Sequence, residues 1–454
     1  MRARKKGFRQ SGPPDAGSAA APVLTGRTHL YGRRRRGSSF RRGQGSDVAP
    51  LSLSARDRGV REQQNAGAIV YNYHMGFYLT RQTALKWLET PSVYQIARDE
   101  VYELDDESFR FLSSCASDGG CDTRDSAFID YCLDEGLLTR EKVSLSRPPL
   151  RPSPNPSLRY LELQLTGRCN LRCRHCYLGN QQPRELTSGQ IRSVLREFEE
   201  MQGLRVLLTG GEPLLHPQFE EINELLPDLF LRKVLFTNGV LLGGDLLKRL
   251  KVNEIQVSID GMKDAHDMLR GAGAYDAALG AVRRALDAGF EVSVSTMVLP
   301  GNLKDFDAME EQFRSLGIKD WTVDVPCPAG RLQENREFLV GPEQGGKYLG
   351  YGYGGGMHSA GTGYACGLHL MAVLPDGDAA KCTFYGDRPV GAVGEGLRTC
   401  WQRVKPLRLS SLDCRCEYLE ACRGGCRYRA ELLGRAAGRD LYRCSLYGVG
   451  SPGA

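Results

Sequence analysis

Arg159-Tyr160-Leu161-Glu162-Leu163-Gln164-Leu165, followed after three residues by Cys169-Asn170-Leu171-Arg172-Cys173-Arg174-His175-Cys176-Tyr177, is the stretch on which the reading of this chain turns. Its first half alternates leucine with polar residues, the pattern of a strand. Its second half sets three cysteines at spacings of three and two residues on one loop. Three thiolates so spaced can each reach a different iron of a [4Fe–4S] cubane, leaving the fourth iron without a protein ligand and making the cluster a chemical site. Zinc is the rival, but a structural zinc takes four closed ligands. The local fourth candidate is His175, pinned between two of the cysteines.

Working outward, strand and helix alternate from Leu158 onward. Strands are predicted at 159–165, 204–208, 233–237, 254–259, 291–298 and 321–325, with helices between them at 188–201, 219–226, 246–250, 274–288 and 304–316. Six such units predict an α/β fold in which helices wrap a parallel sheet, a partial (β/α)6 barrel. Ligand chemistry in such folds belongs at the C-terminal ends of the strands, where the polar motifs of this chain fall. After about Cys327 the pattern breaks into a Gly-rich tract, 345–363, and a cysteine-dense tail.

The 454 residues include 15 cysteines, an odd number, behind a start that lacks the apolar core of a secretory signal. A secreted disulfide framework is therefore a poor explanation, and metal or cluster ligation in a reducing compartment, the cytoplasm, is the better one. Ordinary composition, 41% hydrophobic and 25% charged, excludes a wholly disordered chain. With no long apolar run, no membrane span is expected. Residues 1–62 hold 15 basic and 4 acidic residues, leaving 45 and 50 for the rest, so the body is slightly acidic. The run Arg33-Arg34-Arg35-Arg36 lacks the aromatic interleaving of a nucleic-acid arm and the apolar stretch of a targeting signal. Residues 1–65 are read as a disordered basic extension, with no nucleic-acid partner. Residues 66–146 read as a small winged-helix-like module, with short strands at Tyr78-Leu79 and 101–104, a helix capped by Asp105 and a second at about 124–135. Cys115, Cys121 and Cys132 within it are read as packing or incidental thiols. A proline-rich linker, 147–157, follows.

The motifs behind the cysteine loop resemble, in order, those of the radical S-adenosylmethionine superfamily. They are Thr209-Gly210-Gly211-Glu212-Pro213 at the end of the second strand, Thr237-Asn238-Gly239 at the end of the third, Val257-Ser258-Ile259-Asp260-Gly261 at the end of the fourth, and Leu269-Arg270-Gly271. The resemblance covers a core at 158–326. It implies that Cys169, Cys173 and Cys176 hold a [4Fe–4S] cluster whose open iron is chelated by the amino and carboxylate groups of S-adenosyl-L-methionine. Electron transfer in that family splits the sulfonium to give a 5′-deoxyadenosyl radical. By the same resemblance, the backbone of Gly210 and Gly211 with Glu212 receives the ammonium, and Ser258 and Asp260 meet the ribose. Asn238 and Arg270 hold the nucleoside and the methionyl carboxylate, Tyr177 joins the cofactor-contacting set, and Ser295 is a further candidate.

The tail, 327–450, carries Cys366, then Gly377 and Cys382 with four residues between them, then Cys414, Cys416, Cys422, Cys426 and Cys444. It resembles the seven-cysteine auxiliary-cluster (SPASM) domain of radical enzymes that mature peptides and proteins. That resemblance implies one [4Fe–4S] cluster on Cys414, Cys416, Cys422 and Cys444 and another on Cys366, Cys382 and Cys426. The chain departs from the pattern in having one residue, not two, between Cys414 and Cys416. The fourth ligand of the second cluster is open among Cys400, Cys327, water and a substrate side chain, and Cys327 and Cys400 are themselves read as buried packing. A pair of zinc knuckles is the alternative for the tail.

Together these features predict a radical enzyme that abstracts hydrogen from a peptide or protein substrate, giving a cross-link, a thioether or an oxidised residue. A low-potential donor such as ferredoxin or flavodoxin would feed it electrons. The alternative is the same chemistry on a small cofactor precursor such as a haem-type tetrapyrrole. A non-enzymatic iron–sulfur carrier has no need of the Gly-Gly-Glu-Pro turn or Asp260. The module at 66–146 is similar to the domain with which peptide-modifying enzymes grip a leader peptide as an added strand. Its Glu100, Glu103, Asp105, Asp106 and Glu107 disfavour phosphate contact. No general base stands out, since the histidines show no distinguishing spacing. Tyr348, Tyr351 and Tyr353 are candidates for a substrate channel or a surface loop.

Overall fold

In the computed structural model, which describes residues 3–6, 76–122, 125–179, 183–354, 356–357 and 363–450, strand β1 (Ala3–Lys6) comes first. The basic extension, expected to be disordered, thus supplies a strand at its start, and its other residues lie outside the described ones. The N-terminal module follows with β2 (Tyr78–Leu79), β3 (Thr83–Trp87), β4 (Pro91–Gln95), β5 (Glu100–Leu104), α1 (Asp106–Ser114), α2 (Ser126–Asp134) and β6 (Leu138–Thr139). Its antiparallel sheet runs β1-β5-β4-β3, and β2 pairs with β6. Asp105 caps α1 by accepting from Ser108 N at 2.8 Å, and Asp125 caps α2 by accepting from Phe128 N at 3.0 Å. The caps fix helix phase so that Phe111, Leu112, Phe128 and Ile129 meet Leu79, Tyr102 and Leu138 in one small core. One expectation is corrected here. Cys115 and Cys121 are joined as a disulfide, because the bridge between Phe77 and Cys121 lays that segment beside the end of α1, whereas Cys132 stays a buried thiol.

The core consists of β7 (Tyr160–Thr166), α3 (Ser188–Glu200), β8 (Arg205–Gly210), α4 (Phe219–Leu225), β9 (Arg232–Thr237), α5 (Gly244–Leu247), β10 (Glu254–Ser258), α6 (Lys263–Arg270), α7 (Ala274–Asp287), β11 (Glu291–Met297), α8 (Phe306–Ser315) and β12 (Asp320–Asp324). Strands β7 to β12 lie parallel and in sequence order, giving the central sheet of a partial barrel. Leu161, Leu163 and Leu165 of β7 are fully buried, and α3 turns Ile191, Val194, Leu195 and Phe198 onto the same core. A capping box fixes where α3 starts: Thr187 accepts from Gln190 N while the Gln190 side chain reaches back to Thr187.

After α9 (Pro342–Tyr348), the tail does not leave the sheet. Strand β13 (Leu370–Val373) pairs parallel to β7, and β14 (Asp378–Ala380) and β15 (Gly391–Ala392) continue antiparallel, so one nine-stranded sheet carries both core and tail. Helices α10 (Leu397–Arg403), α11 (Leu419–Cys422), α12 (Arg427–Leu432) and α13 (Leu441–Leu446) complete the chain. Tyr348 and Tyr351 pack on Phe306 at 4.8 and 5.1 Å and Tyr353 on Trp321 at 6.0 Å, so they cover core rather than line a channel.

The N-terminal module rests on the N-terminal ends of the core strands. Lys86 is buried and donates to the carbonyls of Gly203 and Phe230 at 2.7 and 3.1 Å, just before β8 and β9. Arg232, with no side-chain exposure, donates to Ile96 O at 3.0 Å and Ala97 O at 2.9 Å and pairs with Glu254 at 2.7 Å and with Glu291. Truncating one member of such a buried set strands the rest. Arg232→Ala is expected to destabilise the protein by about 3–5 kcal/mol in chemical denaturation. The double variant Arg232→Ala/Glu254→Ala should cost less than the sum of the two singles.

Candidate functional site

The C-terminal ends of the six core strands open on a cavity of about 970 Å³. Glu162 from β7, Thr209 and Gly210 from β8, Thr237 and Asn238 at the end of β9, Ser258 and Asp260 at the end of β10, Ser295 and Met297 from β11, and Thr322 and Asp324 from β12 line it. Cys169, Cys173 and Cys176 stand on the same wall, with His175 and Tyr177.

The cysteine loop is held by backbone. Gly211 N donates to Thr166 O at 2.8 Å and Glu212 N to Arg168 O at 2.7 Å, which seats the Gly-Gly turn directly on the chain entering the loop. A Cβ at Gly211 would collide with the Arg168 carbonyl, and Gly210 adopts φ +132°. Only glycines permit this approach. On the far side, Arg174 N donates to Leu269 O at 3.0 Å and Arg331 N to Cys176 O at 2.9 Å. Gly330, at φ +55°, leaves room for the carbonyls of Cys176 and Tyr177.

Two acidic residues have work other than that expected of them. Glu212 is fully buried and is not among the side chains lining the cavity. Its carboxylate accepts from Thr237 Oγ1 at 2.9 Å, Asn238 N at 2.9 Å and Leu214 N at 3.3 Å, so it ties the β8 turn to the end of β9 rather than facing an ammonium. Burial pushes this carboxyl up to about 7, against those donors. Asp260 does line the cavity, but both its oxygens are taken: Met297 N donates at 2.7 Å, Arg270 Nε at 2.6 Å, and His175 Nε2 lies at 3.5 Å. Burial alone would raise it, yet the Arg270 guanidinium overrides that and holds it at about 2. Burial holds His175 at about 4, neutral, and its Nδ1 has no partner.

The remaining candidates divide clearly. Asn238 Nδ2 donates to Asn170 Oδ1 at 2.7 Å, steadying the loop beside Cys169. Arg270 Nη1 lies 4.0 Å from Cys173 Sγ. Tyr177 bonds Thr383 Oγ1 at 2.9 Å and packs on Phe384 at 5.1 Å, joining the cysteine loop to the residues after Cys382. Cys414, Cys416, Cys422 and Cys444 line one small cavity. Cys366 and Cys382 lie close enough to Cys426 to feel its charge. Among the described residues no three His, Cys, Asp or Glu side chains are gathered as on a single metal ion. His216 bonds Leu186 O at 2.7 Å, His266 accepts from Asp260 N at 3.0 Å and His369 bonds Ser157 O at 2.7 Å, all structural contacts, while His358 lies outside the described residues. Met297 and Thr322 were findable as strand-end residues. Arg331, Thr383 and Phe384 reach the cavity from distant loops and carry no local signal.

Residues 163–312 match the Radical SAM superfamily. The core belongs to that superfamily. Mycofactocin maturase MftC of Mycolicibacterium smegmatis is 28% identical over 308 residues, 59% of this chain and 77% of the relative. An AdoMet-dependent heme synthase of Oleidesulfovibrio alaskensis is 26% identical over 218 residues, 46% of this chain. The chain spans little more than half the length of the heme synthases it matches, 56% and 54%. Streptococcus suis SuiB, solved with S-adenosylmethionine, aligns with a TM-score of 0.59 at 15% identity over 80% of this chain and 99% of that one. Solved with precursor peptide SuiA, it gives 0.59 at 14% over 81% and 100%. At such identities the likeness is one of fold. The superfamily implies a [4Fe–4S] cluster and S-adenosylmethionine, and the donor set fits: three thiols on one cavity wall, with the histidine among them turned to Asp260.

Glu212 makes this region's stability depend on pH. Its folded value lies above the ordinary 4.5, so the favourable contribution is present below 4.5 and is lost as pH rises through 7. The stability of Glu212→Gln minus that of the parent should therefore grow between pH 4.5 and 7, by up to about 1.4 kcal/mol per pH unit, and stay level outside that window. Urea titrations across this range would measure it, and a difference that does not change with pH would contradict the burial argument.

Proposed function

We propose that this protein is a radical S-adenosylmethionine enzyme that removes hydrogen from a residue of a peptide or protein and so installs a cross-link, a thioether or an oxidised residue. The observation that carries the proposal is the single cavity wall on which Cys169, Cys173 and Cys176 stand with the ends of all six core strands. In this reading the three cysteines bind the cluster, and the backbone of Gly210 and Gly211 takes the ammonium of S-adenosylmethionine. Ser258 and His175 Nδ1 take its polar groups, and Arg270 its carboxylate. When bound, cluster and S-adenosylmethionine supply hydrogen-atom abstraction driven by reductive cleavage of the sulfonium.

The chain's own residues then orient and insulate. Asp260 fixes Arg270 beside Cys173, Glu212 fixes the turn, and Asn238 steadies the loop through Asn170. Cys414, Cys416, Cys422 and Cys444 hold one auxiliary cluster, and Cys366, Cys382 and Cys426 belong to a second. A low-potential ferredoxin or flavodoxin supplies electrons, in the cytoplasm. A peptide substrate is favoured by the small antiparallel module, whose sheet offers β1 and β3 as edges for an added strand, and by the maturase among the relatives. The heme synthases among the relatives favour a second reading, a tetrapyrrole substrate.

Anaerobic reconstitution should load about twelve irons per chain, three cubanes. Reductant and S-adenosylmethionine should then yield 5′-deoxyadenosine, and Cys173→Ala should abolish it. A chain that takes up one zinc and leaves S-adenosylmethionine intact would end this reading. Binding assays of residues 76–146 in the full chain against leader-bearing peptides and against porphyrins separate the two substrate classes.

A further inference from the structure

The chemistry proposed above leaves one buried cysteine at the cavity unused. Cys327 follows β12, is 2% exposed and lines the main cavity. Its sequence context suggests apolar packing, but its thiol lies beside that of Cys426, close enough for each to act on the other. Cys426 opens α12, with its N–H fixed on Asp440 Oδ2 at 2.7 Å. Cys366 and Cys382, on either side of β13 and β14, are the other thiols of this neighbourhood. Four cysteines from four separate segments therefore gather beneath the last core strand.

Their surroundings are cationic. Arg429, 5% exposed at its side chain, is held by Asp440 at 3.0 Å and by Asp324 at 2.7 Å, and it acts on Cys327, Cys366 and Cys426. Arg427, 2% exposed, also acts on Cys366 and leaves its Nη2 without a partner. Lys381, next to Cys382, adds a third cation. Buried positive charge with an unsatisfied donor is costly unless something anionic completes it. A thiolate-ligated cluster is such a group. Cys400, the other spare thiol of the tail, points elsewhere: it donates to Ala392 O at 3.3 Å and sits in the main hydrophobic core.

We propose that Cys327 is the fourth ligand of the second auxiliary [4Fe–4S] cluster, completing Cys366, Cys382 and Cys426. This rests on the radical-enzyme reading, and it sharpens it. All four irons of that cluster carry a cysteine, so no iron is left for a substrate side chain, and the cluster serves electron transfer without bonding the substrate.

The test uses the full chain with Cys169, Cys173 and Cys176 replaced by Ala, so that only auxiliary clusters form. Reconstituted anaerobically, it should bind about eight irons. Its reduced EPR signals should not respond to cyanide. Adding Cys327→Ala should shift the signal of one cluster and make that signal respond to cyanide, whereas Cys400→Ala should change neither. Cys327→Ser, which keeps the size and offers oxygen for sulfur, should also shift one signal, and it serves where the alanine variant does not fold. Unchanged signals in both Cys327 variants, or a parent cluster that already responds to cyanide, would overturn the assignment while leaving two auxiliary clusters in place. A parent that binds no iron would instead overturn the auxiliary-cluster reading itself, and this proposal with it.

Discussion

The seat of the Gly210-Gly211 turn on the backbone of Thr166 to Arg168 decides where the three cysteines go. No side chain fits between these segments, so two adjacent strands are locked at the point where one feeds the cysteine loop. Glu212 then carries the constraint sideways to β9 through Thr237 and Asn238, and Asn238 returns it to the loop through Asn170. The loop is therefore held by a closed circuit of hydrogen bonds around the strand ends. Such preorganisation keeps reactive groups in place without help from a ligand.

Electrostatics divides the same region by function. Asp260 keeps its charge because Arg270 sits against it, and Glu212 tends toward its neutral form because no cation faces it as closely. Two carboxyl groups of similar burial are thus shifted in opposite directions, the difference set by one guanidinium. Glu162, at the base of the cavity on β7, is also pushed up to about 7 by burial, with Thr383 N as its donor at 3.0 Å. At neutral pH Glu162 and Glu212 are poised between their two forms, while Asp260 keeps its charge against Arg270 beside Cys173.

The six core strands were legible because each is a short apolar run whose two faces are both covered, and a capping box such as Thr187 with Gln190 marks a helix start in a few residues. What stayed hidden has a common cause in distance along the chain. Strands β3 and β4 carry Lys86 and Pro91, which look like loop residues until Gly203 and Phe230 supply the carbonyls that take the lysine. Strands β13 to β15 are two to four residues long and become strands only because the free edge of β7 pairs with them. Glu212 and Asp260 were identified as site residues from their motifs. Thr237, Asn238 and Met297, which they tie down, lie 25 to 37 residues away, so these structural bonds carry no local signal. Cys327 looks like any buried thiol until Cys426 is placed beside it.

The placement of the N-terminal module has a geometric consequence for any peptide held on its sheet. Lys86 and Arg232 anchor that module where the core strands begin, and the cysteine loop stands where they end. Six residues of strand span roughly 20 Å at about 3.3 Å each. A peptide paired along an edge of that sheet must travel at least that distance, around the outside of the barrel, before any of it enters the cavity. The gripped segment and the altered residue are then separated by a spacer with a minimum length, set by the height of the sheet and indifferent to its sequence. Position in the substrate would be chosen by reach, and chemistry by the residue that arrives.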